Sequence, residues 1–362
     1  FKSNAASQTD ETMFWLRIFF VGIPILGTLT AIWAMKDYDV DEAKALEVRD
    51  LLQKRKAPVK KQSSSYLSGK LLSLSKNGNL INIPQGLDLS TKTAAEITNQ
   101  FSQILNSGLH GLCFSPYLEG QKIGDILSQS QIRRRLDIIA PHSKWIRSFS
   151  CTEGNELIPE IAHQKGLKTI VGAWISSDKE RNEKEIQSLI ALAKKGLVDI
   201  AAIGNEVLHR GEISEEDLLV YIKRVRAELP AAIPVGYADA YYQYLDKSAL
   251  VDASDVILTN FYPFWEGADI RYALSYFAHM MELTQHVAKG KKVIVTETGW
   301  PSKGNSVEAA EPSELNAMKY FIGTQEWAKS QNVDMFYFSS FDESWKVREE
   351  GEVGAGWGIW DK

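Results

Sequence analysis

Two apolar runs in this sequence each stop on a glutamate. The first, IAAIGNE, spans Ile200 to Glu206, and the second, VIVTE, spans Val293 to Glu297 and continues as TGWP to Pro301. Each reads as a fully buried strand that ends on a carboxylate. The two acids are 91 positions apart. That is three βα units at roughly 31 residues per unit of an eightfold barrel. This spacing predicts that Glu206 and Glu297 end the fourth and seventh strands and face each other across the mouth of such a barrel.

The rest of the chain supplies the other units. Strand-like segments fall at Gly111–Phe114, Trp145–Phe149, Lys168–Ala173, Ile200–Ile203, Pro234–Tyr237, Val256–Asn260, Val293–Glu297 and Met335–Ser339. Helical periodicity appears in Thr91–Leu105, where Ser90 or Thr91 is the candidate cap, and in Ser130–Ile139, Lys184–Lys195, Glu215–Leu229, Ala268–Ala288 and Glu311–Ser330. Eight strands alternating with helices over about 250 residues predict an α/β fold, a (β/α)8 TIM barrel. An open doubly wound sheet would call for a Gly-rich first turn, which is missing. No helix is evident after the eighth strand, so the helix before the first strand is expected to cover that gap.

A different segment precedes the barrel. Ile18 to Met35 (IFFVGIPILGTLTAIWAM) carries no charge over 18 residues. As a helix it would span about 27 Å, close to the roughly 30 Å hydrocarbon core of a bilayer. Trp15 and Trp33 suit its interfaces, and Pro24 is tolerable there. The expected organisation is an N-terminal tail (1–12), a single transmembrane helix (13–35), a charged helix and linker (36–82) and the barrel (83–362). A buried core helix and an uncleaved signal sequence are the competing readings of 18–35. Lys2 and Arg17 on one side stand against Lys36, Lys44, Arg49, Lys54 and Arg55 on the other, a count that by itself keeps the barrel inside. Phe19, Phe20, Ile23, Leu26, Leu29 and Trp33 cover most of the helix, so it should anchor or dock and not conduct.

Composition narrows the chemistry. A net charge of −5 argues against a nucleic-acid partner. His110, His142, His163, His209, His279 and His286 show no paired ligand spacing, and no phosphate-cradling glycine loop is present, so neither metal nor cofactor is called for. Cys113 and Cys151, near adjacent early strands, are read as small buried residues, with a disulfide as the geometric alternative. Two carboxylates facing one another in a cleft suit acid/base and nucleophilic work on a glycosidic bond.

The motifs support that chemistry by resemblance. Gly204-Asn205-Glu206-Val207 and Thr296-Glu297-Thr298-Gly299-Trp300-Pro301 resemble glycoside hydrolase family seventeen, which contains β-1,3-glucanases and β-glucanosyltransferases. Matching stretches include Phe114-Ser115-Pro116-Tyr117, Ile146-Arg147-Ser148-Phe149-Ser150, Val171-Gly172-Ala173-Trp174 and Asn260-Phe261-Tyr262-Pro263. The ending Phe341-Asp342-Glu343-Ser344-Trp345-Lys346, with Gly356-Trp357-Gly358, is similar to the microbial branch. Phe149 departs from a more usual tyrosine and Gly356 from a histidine. The resemblance implies Glu206 as general acid/base and Glu297 as nucleophile. The hydroxyls of Thr296 and Thr298 are expected to hold the Glu297 carboxylate. Asn205 is expected to bond the sugar hydroxyl beside the reacting carbon.

Aromatic residues after the strands suit a sugar cleft. Trp174, Tyr262, Trp300 and Trp345, with Phe261, Phe264 and Trp265, are candidate platforms, and Tyr117 and Asn260 are candidate hydrogen-bonding groups. Each aromatic taken singly also fits a core position. Arg147 and Lys346 fit either the site or structural ion pairs at the rim. The implied partners are a β-1,3-glucan and a lipid bilayer.

The N-terminal helix has a resemblance of its own. Met13, Phe19-Phe20-Val21, Pro24 and Lys36 are similar in spacing to the membrane helix of cytochrome c oxidase subunit VIa. That implies the mitochondrial inner membrane, with the barrel in the intermembrane space. The alternative function is then an accessory respiratory-chain subunit, docked to other membrane subunits, with the barrel as passenger. A cell-envelope location with the barrel outside is the other expectation.

Overall fold

The computed structural model describes Leu89 and residues 91–361. The expected tail, membrane helix and linker lie outside these described residues, and among the described residues no helix is long and apolar enough to cross a membrane.

Eight parallel strands close into a barrel in sequence order: β1 Leu109–Cys113, β2 Ser143–Ser148, β3 Lys168–Ala173, β4 Ile200–Asn205, β5 Val235–Ala240, β6 Ile257–Asn260, β7 Val293–Thr298 and β8 Met335–Tyr337. β8 returns to β1 through Gly111 with Phe336 and Leu112 with Tyr337. The strands read as continuous apolar runs because both faces are covered, one by the barrel interior and one by helices. In β3 only Lys168 is exposed, and every residue of β7 is buried.

The helices are α1 Ala94–Ser107, α2 Gln129–Ile139, α3 Ile158–Gln164, α4 Lys179–Lys194, α5 Glu215–Glu228, α6 Tyr242–Leu245, α7 Ser248–Ala253, α8 Ile270–Val287, α9 Glu314–Gln331 and α10 Val347–Glu350. Side-chain caps at Ser128, Asp178, Ser214, Asp269 and Ser313 start five of the longer ones. α1 begins later than its periodicity suggests. Thr93, not Ser90 or Thr91, is the cap, because Glu96 completes a reciprocal capping box with it. α4, by contrast, begins earlier than Lys184, at Lys179 behind its cap Asp178. The short helices α3, α6 and α7 have too few turns to register as a period.

The gap after β8 is covered as expected by α1, which packs on α9. Phe101 meets Phe321 with ring centroids 4.7 Å apart, and Gln100 Nε2 donates to Glu326 Oε1 at 2.7 Å. Cys113 and Cys151 are buried without a disulfide, which corrects the bridged alternative. Each thiol donates to a carbonyl, Cys113 to Thr296 and Cys151 to Gly172.

Candidate active site

Register shifts occur where β4 meets β5, β6 meets β7 and β7 meets β8, in each case near the C-terminal end. Such bulges bend a strand and re-aim its side chains. Here they fall between Ala202 and Asn205, between Thr259 and Asn260, and between Val295 and Thr298. Beyond β4 the backbone turns sharply. Gly204 has φ +85°, and Glu206 itself sits in the left-handed region at φ +52°, a conformation that costs a non-glycine residue on the order of 1–3 kcal/mol. The Glu206 amide donates to the Ala238 carbonyl of β5 at 2.8 Å, which holds the turn.

Asn260 joins the two acids. Its Nδ2 donates to Glu206 Oε1 at 2.9 Å and to Glu297 Oε1 at 3.1 Å. One nitrogen reaching both oxygens holds them within about 6 Å of each other, compatible with the ~5–5.5 Å separation of retaining carboxyl pairs. The Thr296 hydroxyl donates to Asn260 Oδ1 at 2.8 Å, so the amide is oriented with its donor side toward the carboxylates.

Glu297, on β7, is 5% exposed. Arg147 Nη1 lies 2.5 Å from its Oε1, and the Tyr262 hydroxyl donates to its Oε2 at 2.7 Å. This corrects the expected role of the flanking threonines. Thr296, the extra residue at the β6/β7 register shift, serves Asn260, and Thr298 pairs with the Tyr320 hydroxyl of α9. Arg147 is likewise not a rim residue. It is 1% exposed on β2 and reaches Asn205 Oδ1 through Nη2 at 2.7 Å, so one guanidinium ties the residue before the first acid to the second acid.

Burial is the main cause that raises the Glu206 carboxyl above the ordinary range, and the charge of Glu297 adds to it. His209, the Asn260 amide and Arg210 pull in the opposite direction. Behind Glu206, Asp239 of β5 is fully buried. Burial first, then the charge of Glu206, pushes it up to about 7. Its carboxyl meets the Tyr237 hydroxyl and the amides of His209 and Ala240. No motif points to Asp239, although a charge inside the buried run VGYADA is a legible signal.

The remaining candidate residues divide. Asn205, Tyr262, Trp174 and Trp345 are half-buried around the strand ends. The Arg210 guanidinium covers one face of Trp174 at 4.6 Å. Trp345 Nε1 donates to Glu343, which also accepts from Ser115 and pairs with Lys346 at 2.7 Å. Of the two uses open to Lys346, the structure shows the ion pair. Trp300 is a correction. It is 1% exposed, its indole N–H is spent on the Glu311 carbonyl, and Phe264 and Tyr320 flank its ring, so it is a wall and not a platform. Phe261 and Phe264 are core residues as well. Tyr117 is 8% exposed, its hydroxyl meets Asn155 and its ring packs edge-on to Trp345.

Phe149 lies under the Arg147 guanidinium at 4.5 Å and against Phe338. Gly356 leaves no room for a side chain as the structure stands, since a Cβ would lie 2.8 Å from Lys303 Cγ. Trp357 beside it packs on Tyr262 and Trp265.

An eightfold barrel with two acids at the ends of β4 and β7, joined by one amide, defines a glycoside-hydrolase type of enzyme. Residues 111–358 match the BtgE/BtgC glycoside hydrolase domain model, and the chain belongs to that family. It is 29% identical over 247 residues to a glucan 1,3-beta-glucosidase of Arthroderma benhamiae, covering 64% of this chain and 79% of that protein. It is 26% identical over 253 residues to a glucan 1,3-beta-glucosidase of Candida albicans, covering 62% and 81%. Among solved structures it resembles an active-site mutant of the Rhizomucor miehei beta-1,3-glucanosyltransferase in complex with laminaritriose. The TM-score is 0.64 at 26% identity, covering 71% of this chain and 94% of that one.

Proposed function

We propose that the barrel acts on β-1,3-glucan with retention of configuration, Glu297 as nucleophile and Glu206 as acid and then base. The observation that carries this is the single Asn260 amide touching both carboxyl groups. Arg147 and Tyr262 hold Glu297 oriented, so that one oxygen can attack the anomeric carbon while Glu206 protonates the departing glycosidic oxygen. Bond formation neutralises Glu297 and removes one of the influences that hold the Glu206 carboxyl above its ordinary range. Glu206 then leaves the first step as a carboxylate able to take a proton from the acceptor. Water as acceptor gives hydrolysis and a sugar hydroxyl gives transfer, through the same glycosyl-enzyme. Asn205, its Oδ1 occupied by Arg147, presents its amide N–H groups to a sugar hydroxyl. Trp174 and Trp345 flank the cleft as ring surfaces for sugar faces.

The test is incubation of the full chain with laminari-oligosaccharides, with products separated by size. Shortened or lengthened products, lost in Glu297→Ala, are expected. A wild-type chain that neither cleaves nor transfers would remove the proposal.

We also propose that residues 13–35 tether the barrel to a membrane, supported by the uncharged run Ile18 to Met35. Fractionation of the tagged chain decides between the two expected locations. Co-purification with cytochrome c oxidase would favour the respiratory alternative, whereas recovery in the cell envelope would end it.

A further inference from the structure

Glu185 lies on the buried face of α4, in the same stripe as Ile186, Leu189, Ile190 and Ala193, and is fully inaccessible. A carboxylate in such a position is costly unless its oxygens are satisfied. Oε1 accepts from the Ser150 hydroxyl at 2.5 Å and the Thr152 hydroxyl at 2.6 Å. Oε2 accepts from the Cys151 amide at 2.7 Å and the Trp174 amide at 3.1 Å. Arg181, a turn away on α4, instead pairs with Glu153. Four neutral donors from two different loops therefore converge on one acid.

Those loops follow β2 and β3, and both belong to the mouth of the barrel. Ser150 adjoins Phe149, which lies on Arg147, the partner of Glu297. Trp174 carries Arg210 on its face, and Arg210 Nη1 donates to the Asn205 carbonyl at 2.5 Å, next to Glu206. The strands that carry these loops are close where they end, since a Cβ on Gly172 of β3 would lie 2.8 Å from the Ser148 carbonyl oxygen of β2.

We propose that Glu185 is a positioning residue for the sugar cleft: its buried carboxylate clamps the loops after β2 and β3 together and thereby fixes the indole of Trp174 where a glucan ring stacks. The substrate in this statement rests on the proposed function above. The clamp itself rests on the four hydrogen bonds. A loop held only by its own backbone would let the indole sample several orientations, and binding would then have to supply the ordering.

The experiment is a double-mutant cycle between Glu185→Ala and Trp174→Ala in the full chain, read as KM and kcat on a laminari-oligosaccharide. Each single change should raise KM about tenfold and move kcat by less than about threefold, and the double variant should be no worse than either. Glu185→Gln should restore a near-wild-type KM. Its carbonyl can accept from both amides, while the two hydroxyls rotate to accept from its NH₂. Additive KM effects, a loss confined to kcat, or a Glu185→Gln variant as impaired as Glu185→Ala would overturn the proposal. Should Glu185→Ala not fold, the pair Ser150→Ala with Thr152→Val strips Oε1 of its donors and must raise KM; an unchanged KM overturns the clamp. Failure of the wild-type chain to turn over the oligosaccharides would sink the proposed function alone. The clamp is then judged by Trp174 fluorescence, isolated as the difference from Trp174→Phe. It should shift in Glu185→Ala and stay in Glu185→Gln, and an unshifted spectrum in Glu185→Ala contradicts it.

Discussion

The Arg147 guanidinium and the Glu297 carboxylate form an ion pair 2.5 Å apart, with side chains only 1% and 6% exposed. A buried pair of this kind is weak evidence for net stability, but removing one partner strands the other. Arg147→Met should therefore destabilise the barrel by about 3–5 kcal/mol, measured by denaturant unfolding. Arg147→Lys keeps the charge but not the fork that also reaches Asn205. It should unfold close to wild type yet lose activity by about 100-fold. Wild-type turnover in Arg147→Lys would show that the second arm is idle.

Tyr262→Phe removes the hydroxyl that donates to Glu297 Oε2 at 2.7 Å and keeps the ring contacts with Phe338 and Trp357. A hydrogen bond to a charged group contributes about 1.5–3 kcal/mol. The expected outcome is a fall in kcat of roughly 10- to 150-fold, together with a melting temperature lowered by a few degrees, because the bond is already made in the free enzyme. Steady-state kinetics and thermal unfolding on the same preparation check both halves.

Asp239 makes a prediction about pH. Its folded value of about 7 stands above the ordinary 3.8 because burial, and then the charge of Glu206, disfavour its ionised form. The native chain thus keeps a proton that the unfolded chain has already released. Stability from this group is complete below the unfolded value and is lost as pH rises through the folded one. The difference is on the order of 4 kcal/mol between about pH 4 and about pH 7. Asp239→Asn, which cannot ionise, should show a flatter unfolding free energy across that interval than wild type. Parallel slopes in denaturant titrations would contradict the assignment.

Trp300 and Trp174 should behave oppositely. Trp300 is packed between Phe264 and Tyr320, so Trp300→Ala should cost about 3–5 kcal/mol of stability. Trp174, half-buried under Arg210, should cost far less stability and appear in substrate affinity. Unfolding and oligosaccharide binding measured on both variants separate the two roles.

Much of this site is legible in the sequence, because Glu206, Asn260, Tyr262 and Glu297 each stand at or beside the C-terminal end of an apolar run. The barrel and its α1 closure follow from the same alternation. What fails is the inference from nearness in sequence to nearness in space. Thr296, Thr298 and Trp300 adjoin Glu297 along the chain, yet Thr296 turns to Asn260 and Thr298 to Tyr320 of α9, and the backbone beyond β7 carries the indole into the wall. Arg147 is visible in its motif but its depth is not, since a strand interior and its rim differ by only a residue or two. Glu185 leaves a fainter mark, an acid within the apolar stripe of α4, and its partners come from loops whose approach no pattern reveals.

The central claim is that Glu206 and Glu297 act as a retaining pair. The most direct measurement is the configuration of the reducing end newly formed at the cleaved bond when a laminari-oligosaccharide is hydrolysed, followed by proton NMR before mutarotation. The account predicts the β-anomer, with no product from Glu297→Ala. An α-anomer as the first product would mean that water attacks directly and would contradict it.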